Sequence, residues 1–481
     1  MSQHEAGRRG RISPGGTIAG TTQARTGVTP GSLPAGCTCY DPSLAVTKRT
    51  FLQLALAHAG ACRLAAQRLT NWAGNLTYST DRLHEPRTVD EVRALVRAHG
   101  RLKALGTRHC FSSIADSAHN LVSLQRMNGV AELDAAARTV TVEAGVRYGE
   151  LCVYLHDKGF ALANLASLPH ISVAGACSTA THGSGETVGN LACAVAGIEF
   201  VNAAGDLVKL TRAADGETFQ GAVVGLGALG VITKVTLEVQ PAYSMRQWVY
   251  QDLPLEQARE HFDAIQASGY SVSLFTDWRR RVMNEVWVKS RREFDAPAEW
   301  FGGKRASRNL HPIAELPAEN CTEQMGVPGP WYARLPHFKM GFTPSAGKEL
   351  QAEYLLPRKH AVEAILAMDR LRDRIAPHLL ISEIRTVAAD GLWMSTAYRQ
   401  PSVAIHFTLK PDWPAVRQLL PEIERELGPF GPRPHWGKLF AVRGAALRQR
   451  YEQADAFVAL ARRHDPKGKF QNEYLRSTVF P

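Results

Sequence analysis

Apolar residues recur along the chain with two different periods, and each period predicts an element. In residues 88–100 (TVDEVRALVRAHG), Val89, Val92, Leu95 and Val96 fall on one stripe of a 3.6-residue helix, with Thr88 as its cap and Glu91 three places on. Period-2 alternation bounded by turn residues predicts strands at 102–105, 139–143, 198–202, 207–210 and 231–239. After Pro241 the same signal returns at 249–253 and 271–277, and the chain ends in helices rich in Arg and Glu. This is an α+β pattern in two blocks with a boundary near 240–245.

The first 45 residues lack any apolar period and are rich in Gly, Ser, Thr, Pro and Arg, the composition of a disordered tail. Behind them, TKRTFLQ at 47–53 followed by the apolar run 51–62 has the form of a twin-arginine export signal with Lys48 in the first basic place. His58 interrupts that run and Arg63 follows it, so an amphipathic lead-in helix fits equally, and the cytoplasm is the expected compartment. Nothing approaches the roughly 20 apolar residues of a membrane span.

The net charge of +11 suggests nucleic acid until it is divided. Residues 1–75 hold eight Lys or Arg against Glu5 and Asp41, which leaves only +5 for the other 406 residues. That remainder has no basic stripe interleaved with aromatics, so no nucleic-acid partner is expected. The eight cysteines include no C-x-x-C array, and Cys37 and Cys39 lack a second ligand pair, so neither a disulfide scaffold nor a metal site is expected. At 481 residues, two domains and a tail are the natural division.

Residues 225–230 (GLGALG) match the G-x-G-x-x-G dinucleotide fingerprint, but that fingerprint must follow a strand and open a helix. Here the segment precedes the strand 231–239, so a tight turn is the better reading. Two other loops carry more. Gly106-Thr107-Arg108-His109 leaves a strand as a turn able to aim backbone N–H groups at phosphate oxygens. Residues 167–185 (SLPHISVAGACSTATHGSG) are small enough to let the backbone approach a flat, bulky ligand. Either alone could be an ordinary Gly-rich loop; together they argue for a large cofactor with a diphosphate.

With these loops the sequence resembles the FAD-linked oxidases of the vanillyl-alcohol-oxidase type, and within them the alditol (xylitol) oxidases. The resemblance runs from NWAGN at Asn71 to DPKGKFQNEYLR ending at Arg476, through ASLPHISVAG, SLFTDW, CTEQMGVPGPW, EIRTVAAD and PHWGK in order. It implies a two-part N-terminal FAD-binding domain over 76–243 and a C-terminal cap domain over 244–481, with a large antiparallel sheet flanked by helices. It also implies FAD bound covalently through a ring nitrogen of His109. Ala104, Leu105, Gly106, Thr107, Arg108 and Cys110 would cradle the phosphates. Ser167, Ser172, Gly175, Ala176, Cys177, Ser178, the backbone of Val231 and His435 would complete the cofactor contacts. Cys110 stands where Ser is more usual, and works equally well if that position acts through its N–H. Leu168 occupies the place where some relatives carry a second, cysteinyl flavin bond, so a single covalent bond is implied.

Substrate candidates come from charges set in apolar strands. Glu383 and Arg385 are two apart in 381–387 and so share one face. In 403–409 the alternation puts Val403, Ile405, Phe407 and Leu409 on the core side and His406 and Thr408 on the other; Lys438 follows Trp436 by two. An isolated pair of this kind is usually a solvent-facing edge, but three such polar faces read as one lined pocket. Oxidising an alcohol by flavin needs the hydroxyl proton removed and a hydride delivered to the flavin. Arg385 and Lys438 are the cations suited to hold the reacting hydroxyl, Glu383 pins them, and Ser167, His406 and Thr408 take further hydroxyls of a polyol. The expected reaction is oxidation of a primary alcohol of xylitol or sorbitol to the aldose, with O2 reduced to H2O2, by a monomer. An aldonolactone oxidase or dehydrogenase is the enzyme alternative, and a sugar-binding protein without turnover is the alternative of another class.

Overall fold

The computed structural model describes residues 68–341 and 348–480, so the expected tail, lead-in helix and twin-arginine-like segment lie outside the described residues. The helix expected at 88–100 is Val89–Ala98, with the Thr88 hydroxyl accepting from the Glu91 N–H and Val92 and Val96 buried. It connects to a three-stranded parallel sheet in which Leu121–Ser123 lies between Leu83–His84 and Lys103–Leu105. A second, five-stranded antiparallel sheet runs Val130–Asp134, Thr139–Glu143, Val231–Glu238, Val195–Val201, Leu207–Thr211. In Val231–Glu238 the residues Val231, Thr233, Val235 and Leu237 are buried and alternate with partly exposed ones, as a sheet packed on one face requires.

GLGALG follows the helix Arg212–Val223 and opens the strand Val231–Glu238, so it is a turn and not a dinucleotide fingerprint. Leu226 and Gly227 turn through φ of 52° and 62°. At Gly230 a Cβ would sit 2.3 Å from the Val201 carbonyl, so the neighbouring strand leaves room only for hydrogen.

The C-terminal half is built on a ten-stranded sheet whose path runs Glu299–Trp300, Gly303–Arg305, Ser244–Pro254, Val282–Ser290, Ser271–Thr276, Leu379–Val387, Ser402–Leu409, Leu350–Pro357, Arg433–Pro434, with Gly329–Pro330 paired to the start of Ser244–Pro254. All these pairs are antiparallel. Ser244–Pro254 begins five residues before the predicted 249–253, because Arg246 and Gln247 break the apolar pattern; Gln247 is nevertheless fully buried, its amide donating to the Thr322 carbonyl at 3.3 Å. Helices Ala361–Arg370 and Trp413–Leu427 bury Ala364, Ile365, Met368 and Val416, Leu419, Leu420, Ile423 in the same apolar cluster as Val403, Ile405, Phe407 and Leu409 of the sheet. The alternation read from 403–409 therefore holds, and the opposite face is left for polar residues.

The last residues return to the N-terminal half. The Asn472 amide donates to the carbonyls of Ser113, Ile114 and Asp116 at 3.0, 3.1 and 2.9 Å, and the buried Lys103 ammonium donates to those of Leu226, Gly227 and Phe470. The DPKGKFQNEYLR segment thus closes the chain onto the loops that precede the site.

Candidate active site

One cavity of about 930 Å³ runs between the Gly-rich loops and the polar face of the large sheet. Its first half is walled by Ala104, Leu105, Gly106, Thr107, Arg108, His109 and Cys110, and by Ser172, Gly175, Ala176 and Ser178. Arg108 takes φ of 62°, which turns the loop sharply after Lys103–Leu105. Gly175 lies against Ser172, whose Oγ would be 2.8 Å from a Cβ there. Two expected contacts are not in the wall. The Cys177 thiol points into the core, 3.4 Å from the Tyr148 hydroxyl, and Val231 pairs with Val201 in the five-stranded sheet. Gly230 and Ile232, on either side of Val231, line the cavity instead.

His109 lines the same cavity. Its ring packs between Trp72 and His170, at centroid distances of 4.6 and 5.2 Å, and its Nδ1 is buried without a hydrogen-bond partner. Burial, reinforced by His170, Lys438 and His435, holds the ring neutral well below the usual histidine range. The ring thus lines the cavity as a neutral imidazole with one ring nitrogen left without a partner in the protein.

The second half is the polar face of the sheet, and the register makes it a grid. Phe275, Glu383, His406 and Glu353 stand side by side on four adjacent strands, and Ile381, Thr408 and Gln351 form the next row. Arg385 lies one row the other way, on the same strand as Glu383. Lys438 comes from a tight turn after Arg433–Pro434: the His435 carbonyl accepts from the Lys438 N–H at 3.0 Å and the His435 Nδ1 accepts from the Gly437 N–H at 3.1 Å. Lys438 then donates to the Gln351 Oε1 at 2.6 Å. Ser167 reaches the same place from the small-residue loop, where its Oγ accepts from Arg385 at 3.4 Å. Ser167, Glu383, Arg385, His406, Thr408, His435 and Lys438 all line the cavity that His109 lines.

Glu353 organises the cations, and the sequence reading missed it. It is 1% exposed; its Oε1 accepts from Arg385 at 2.5 Å and lies 3.3 Å from the His182 Nε2, while its Oε2 is 3.6 Å from the Lys438 Nζ. Burial opposes ionisation, yet Lys438, His182 and Arg385 hold the carboxyl well below the usual range. Glu383 is likewise held ionised against burial by Arg385 and His337, the His337 Nε2 being 2.7 Å from its Oε1. Gln351 and Glu353 are two apart, the same signature that exposed Glu383 and Arg385, and a reading of Leu350–Pro357 by alternation would have found them. His182 and His337 carry no such signal, because loops bring them in.

Residues 80–211 match the FAD binding domain family, and residues 343–478 match the D-arabinono-1,4-lactone oxidase family. An alditol oxidase from a Streptomyces species is 48% identical over 415 residues, spanning 85% of this chain and 99% of that protein. The chain belongs to the alditol oxidase family. This family member is more distantly similar to an L-gulono-1,4-lactone dehydrogenase of Mycobacterium tuberculosis, 26% identical over 433 residues, 86% of the chain and 99% of the relative. Its fold is that of the cholesterol oxidase from B. sterolicum, with a TM-score of 0.71 at 15% identity, covering 86% of this chain and 97% of the other. The two-part FAD-binding half and the cap with its large antiparallel sheet are thereby those of the vanillyl-alcohol-oxidase type, and the chain is an FAD-dependent oxidoreductase.

The residues present fit FAD. The loop at Gly106–Cys110 and the helix Val173–Ser178 bring close-packed backbone to the cavity, and the His109 Nδ1 lacks any partner within the protein. No helix among the described residues is long and apolar enough to cross a membrane.

Proposed function

We propose that this chain is an alditol oxidase, converting a primary alcohol of a polyol such as xylitol or sorbitol to the aldose while O2 is reduced to H2O2. The observation that carries the reading is the convergence of Glu383, Arg385, His406, Thr408, Ser167 and Lys438 on the cavity that also holds His109. The alcohol loses two electrons and two protons, and O2 gains both to become peroxide. FAD, when bound, supplies the hydride acceptor. Arg385 and Lys438 hold the reacting hydroxyl and favour its alkoxide character, because hydrogen bonds from cations strengthen as negative charge develops on oxygen. Glu353 keeps those two cations in place. Glu383, His406, Thr408 and Ser167 receive the remaining hydroxyls, so a ligand lacking them leaves buried polar groups unpaired and is rejected.

The reading further assigns residues 76–243 to cofactor binding and 244–481 to substrate binding, with FAD attached through the His109 Nδ1. The monomer is taken as the working unit and the cytoplasm as its compartment; sizing of the native protein in solution tests the former, and fractionation of cells with the N-terminus intact tests the latter. The function itself is tested by supplying a panel of polyols and aldonolactones with O2 and measuring products. Aldose and peroxide formed in equal amounts from polyols, without added nicotinamide, support it. Turnover of lactones in preference to polyols would move the chain to the lactone-oxidising relatives and leave the fold and cofactor untouched.

A further inference from the structure

On the same face of the sheet as Glu383 and Arg385, two strands away, lies a buried cation that the proposed chemistry does not use. Lys289, on Val282–Ser290, is 1% exposed, and its Nζ has three partners: the carbonyls of Leu335 at 2.6 Å and Pro336 at 3.0 Å, and the His337 Nδ1 at 3.0 Å. An ammonium has three protons and no lone pair, so it must donate to all three. That makes the His337 Nδ1 an acceptor and puts the ring proton on Nε2, which faces the Glu383 Oε1 at 2.7 Å. Trp287 and Phe275 stand edge-on to the His337 ring at 5.1 and 5.6 Å, so the ring cannot turn away, and its tautomer is the freedom left. The backbone is pinned as well: the Thr322 Oγ1 donates to the Pro336 carbonyl at 2.8 Å, and the N–H groups of His337 and Phe338 both donate to the Ser167 carbonyl. The CTEQMGVPGPW segment thereby acquires a purpose, since Cys321 pairs with Phe338 and Thr322 holds the loop that presents His337.

We propose that Lys289 is a positioning residue which, by fixing the tautomer of His337, keeps Glu383 a carboxylate with one oxygen occupied and the other free to accept a substrate hydroxyl. The converse state defines the consequence. A neutral amine still donates two protons to the carbonyls of Leu335 and Pro336, but its lone pair then accepts from His337 Nδ1–H. The His337 Nε2 is left with a lone pair towards Glu383, and the carboxyl either takes a proton or is repelled; in both cases its hold on a hydroxyl is spoiled. The groups facing Lys289 are His337, Glu383 and Arg385 of Leu379–Val387, Cys321, and Arg334, with the Trp287 ring 5.8 Å away. Burial pushes the ammonium down to about 7, with Glu383 opposing. Loss of the Lys289 proton as pH rises through that value therefore weakens polyol binding.

The inference rests on the reading that Glu383 binds the polyol, and the test separates the two. KM and kcat for xylitol are measured from pH 5.5 to 9 in the FAD-loaded wild type, Lys289→Met, His337→Phe, His337→Gln and Glu383→Gln. The wild-type KM should rise above about pH 7. Lys289→Met and His337→Phe should show KM about tenfold higher at pH 6, kcat within about threefold, and no further rise with pH, because a charge-assisted hydrogen bond is lost without touching the reacting hydroxyl. His337→Gln, able to accept from Lys289 and donate to Glu383, should stay near the wild type. If Lys289→Met does not fold with FAD bound, the two His337 variants decide. A KM within twofold of wild type in His337→Phe, with the pH limb intact, overturns the inference; the limb then belongs to Glu349, which burial pushes up to about 7 in the same cavity. If Glu383→Gln also leaves KM unchanged, the assignment of Glu383 to substrate binding falls with it.

Discussion

Glu353→Gln perturbs the centre of the site without changing its shape. The carboxylate is 1% exposed and is shared by Arg385 at 2.5 Å and Lys438 at 3.6 Å, so the variant removes one buried anion from between two cations. Removing one partner of a buried ion pair costs about 3–5 kcal/mol. Because Gln still offers Arg385 an oxygen, the lower end, about 3 kcal/mol, is expected. At an effective dielectric of about 20, unit charges 3.6 Å apart interact by roughly 4–5 kcal/mol, so loss of the Glu353 charge should make the Lys438 ammonium give up its proton at lower pH. Its proton affinity is already lowered by burial, with Glu353 opposing that effect. The assay is anaerobic flavin reduction by xylitol across pH, beside thermal unfolding of the same preparations. The alkaline limb of the reduction rate should move to lower pH, and the unfolding midpoint should fall by several degrees. An unmoved limb together with an unmoved midpoint would refute the idea that Glu353 holds Lys438 as a cation.

Lys438→Ala and Arg385→Ala should each slow flavin reduction by about two powers of ten while xylitol affinity changes less, since their bonds strengthen with developing charge; rapid-mixing spectroscopy reads both quantities. For His109→Ala, acid precipitation should release any flavin into the supernatant, whereas the wild-type pellet should stay yellow. Glu285, buried and accepting from the Trp287 N–H at 2.7 Å, has its carboxyl pushed up to about 8 by burial. A raised folded-state pKa means stability present below the unfolded value and lost as pH rises, here by about 1.4 kcal/mol per unit between roughly pH 5 and 8. Denaturant titrations should show that decline in the wild type and a shallower one in Glu285→Gln.

Period and punctuation were enough to read the sheet and helix pattern because each strand near the site is buried on at least one face. Val231–Glu238 and Ser402–Leu409 kept their alternation, and the N-cap at Thr88 was visible as a residue type in the right place. Arg385 and Glu383 were legible for the same reason: charge in a strand of apolar neighbours has to face something polar. Glu353 bears the identical mark in Leu350–Pro357, two places after Gln351. His337 and Lys289 were invisible for a different reason. Their contact spans 48 positions and depends on a loop reaching the buried end of a side chain, and no local pattern encodes such a meeting. Cys177 and Val231 show the complementary limit, since a motif identifies the stretch that approaches a ligand but not which of its residues point inward.

If the polar face that shares a cavity with His109 is built for an open-chain polyol, anaerobic mixing will show it. With oxygen removed, the yellow protein is mixed separately with xylitol, sorbitol and an aldono-1,4-lactone, and bleaching of the flavin absorbance is followed. Rapid bleaching by the polyols, with slow or no bleaching by the lactone, is the predicted result. Bleaching by the lactone faster than by either polyol, or a flavin that none of them reduces, would contradict the account.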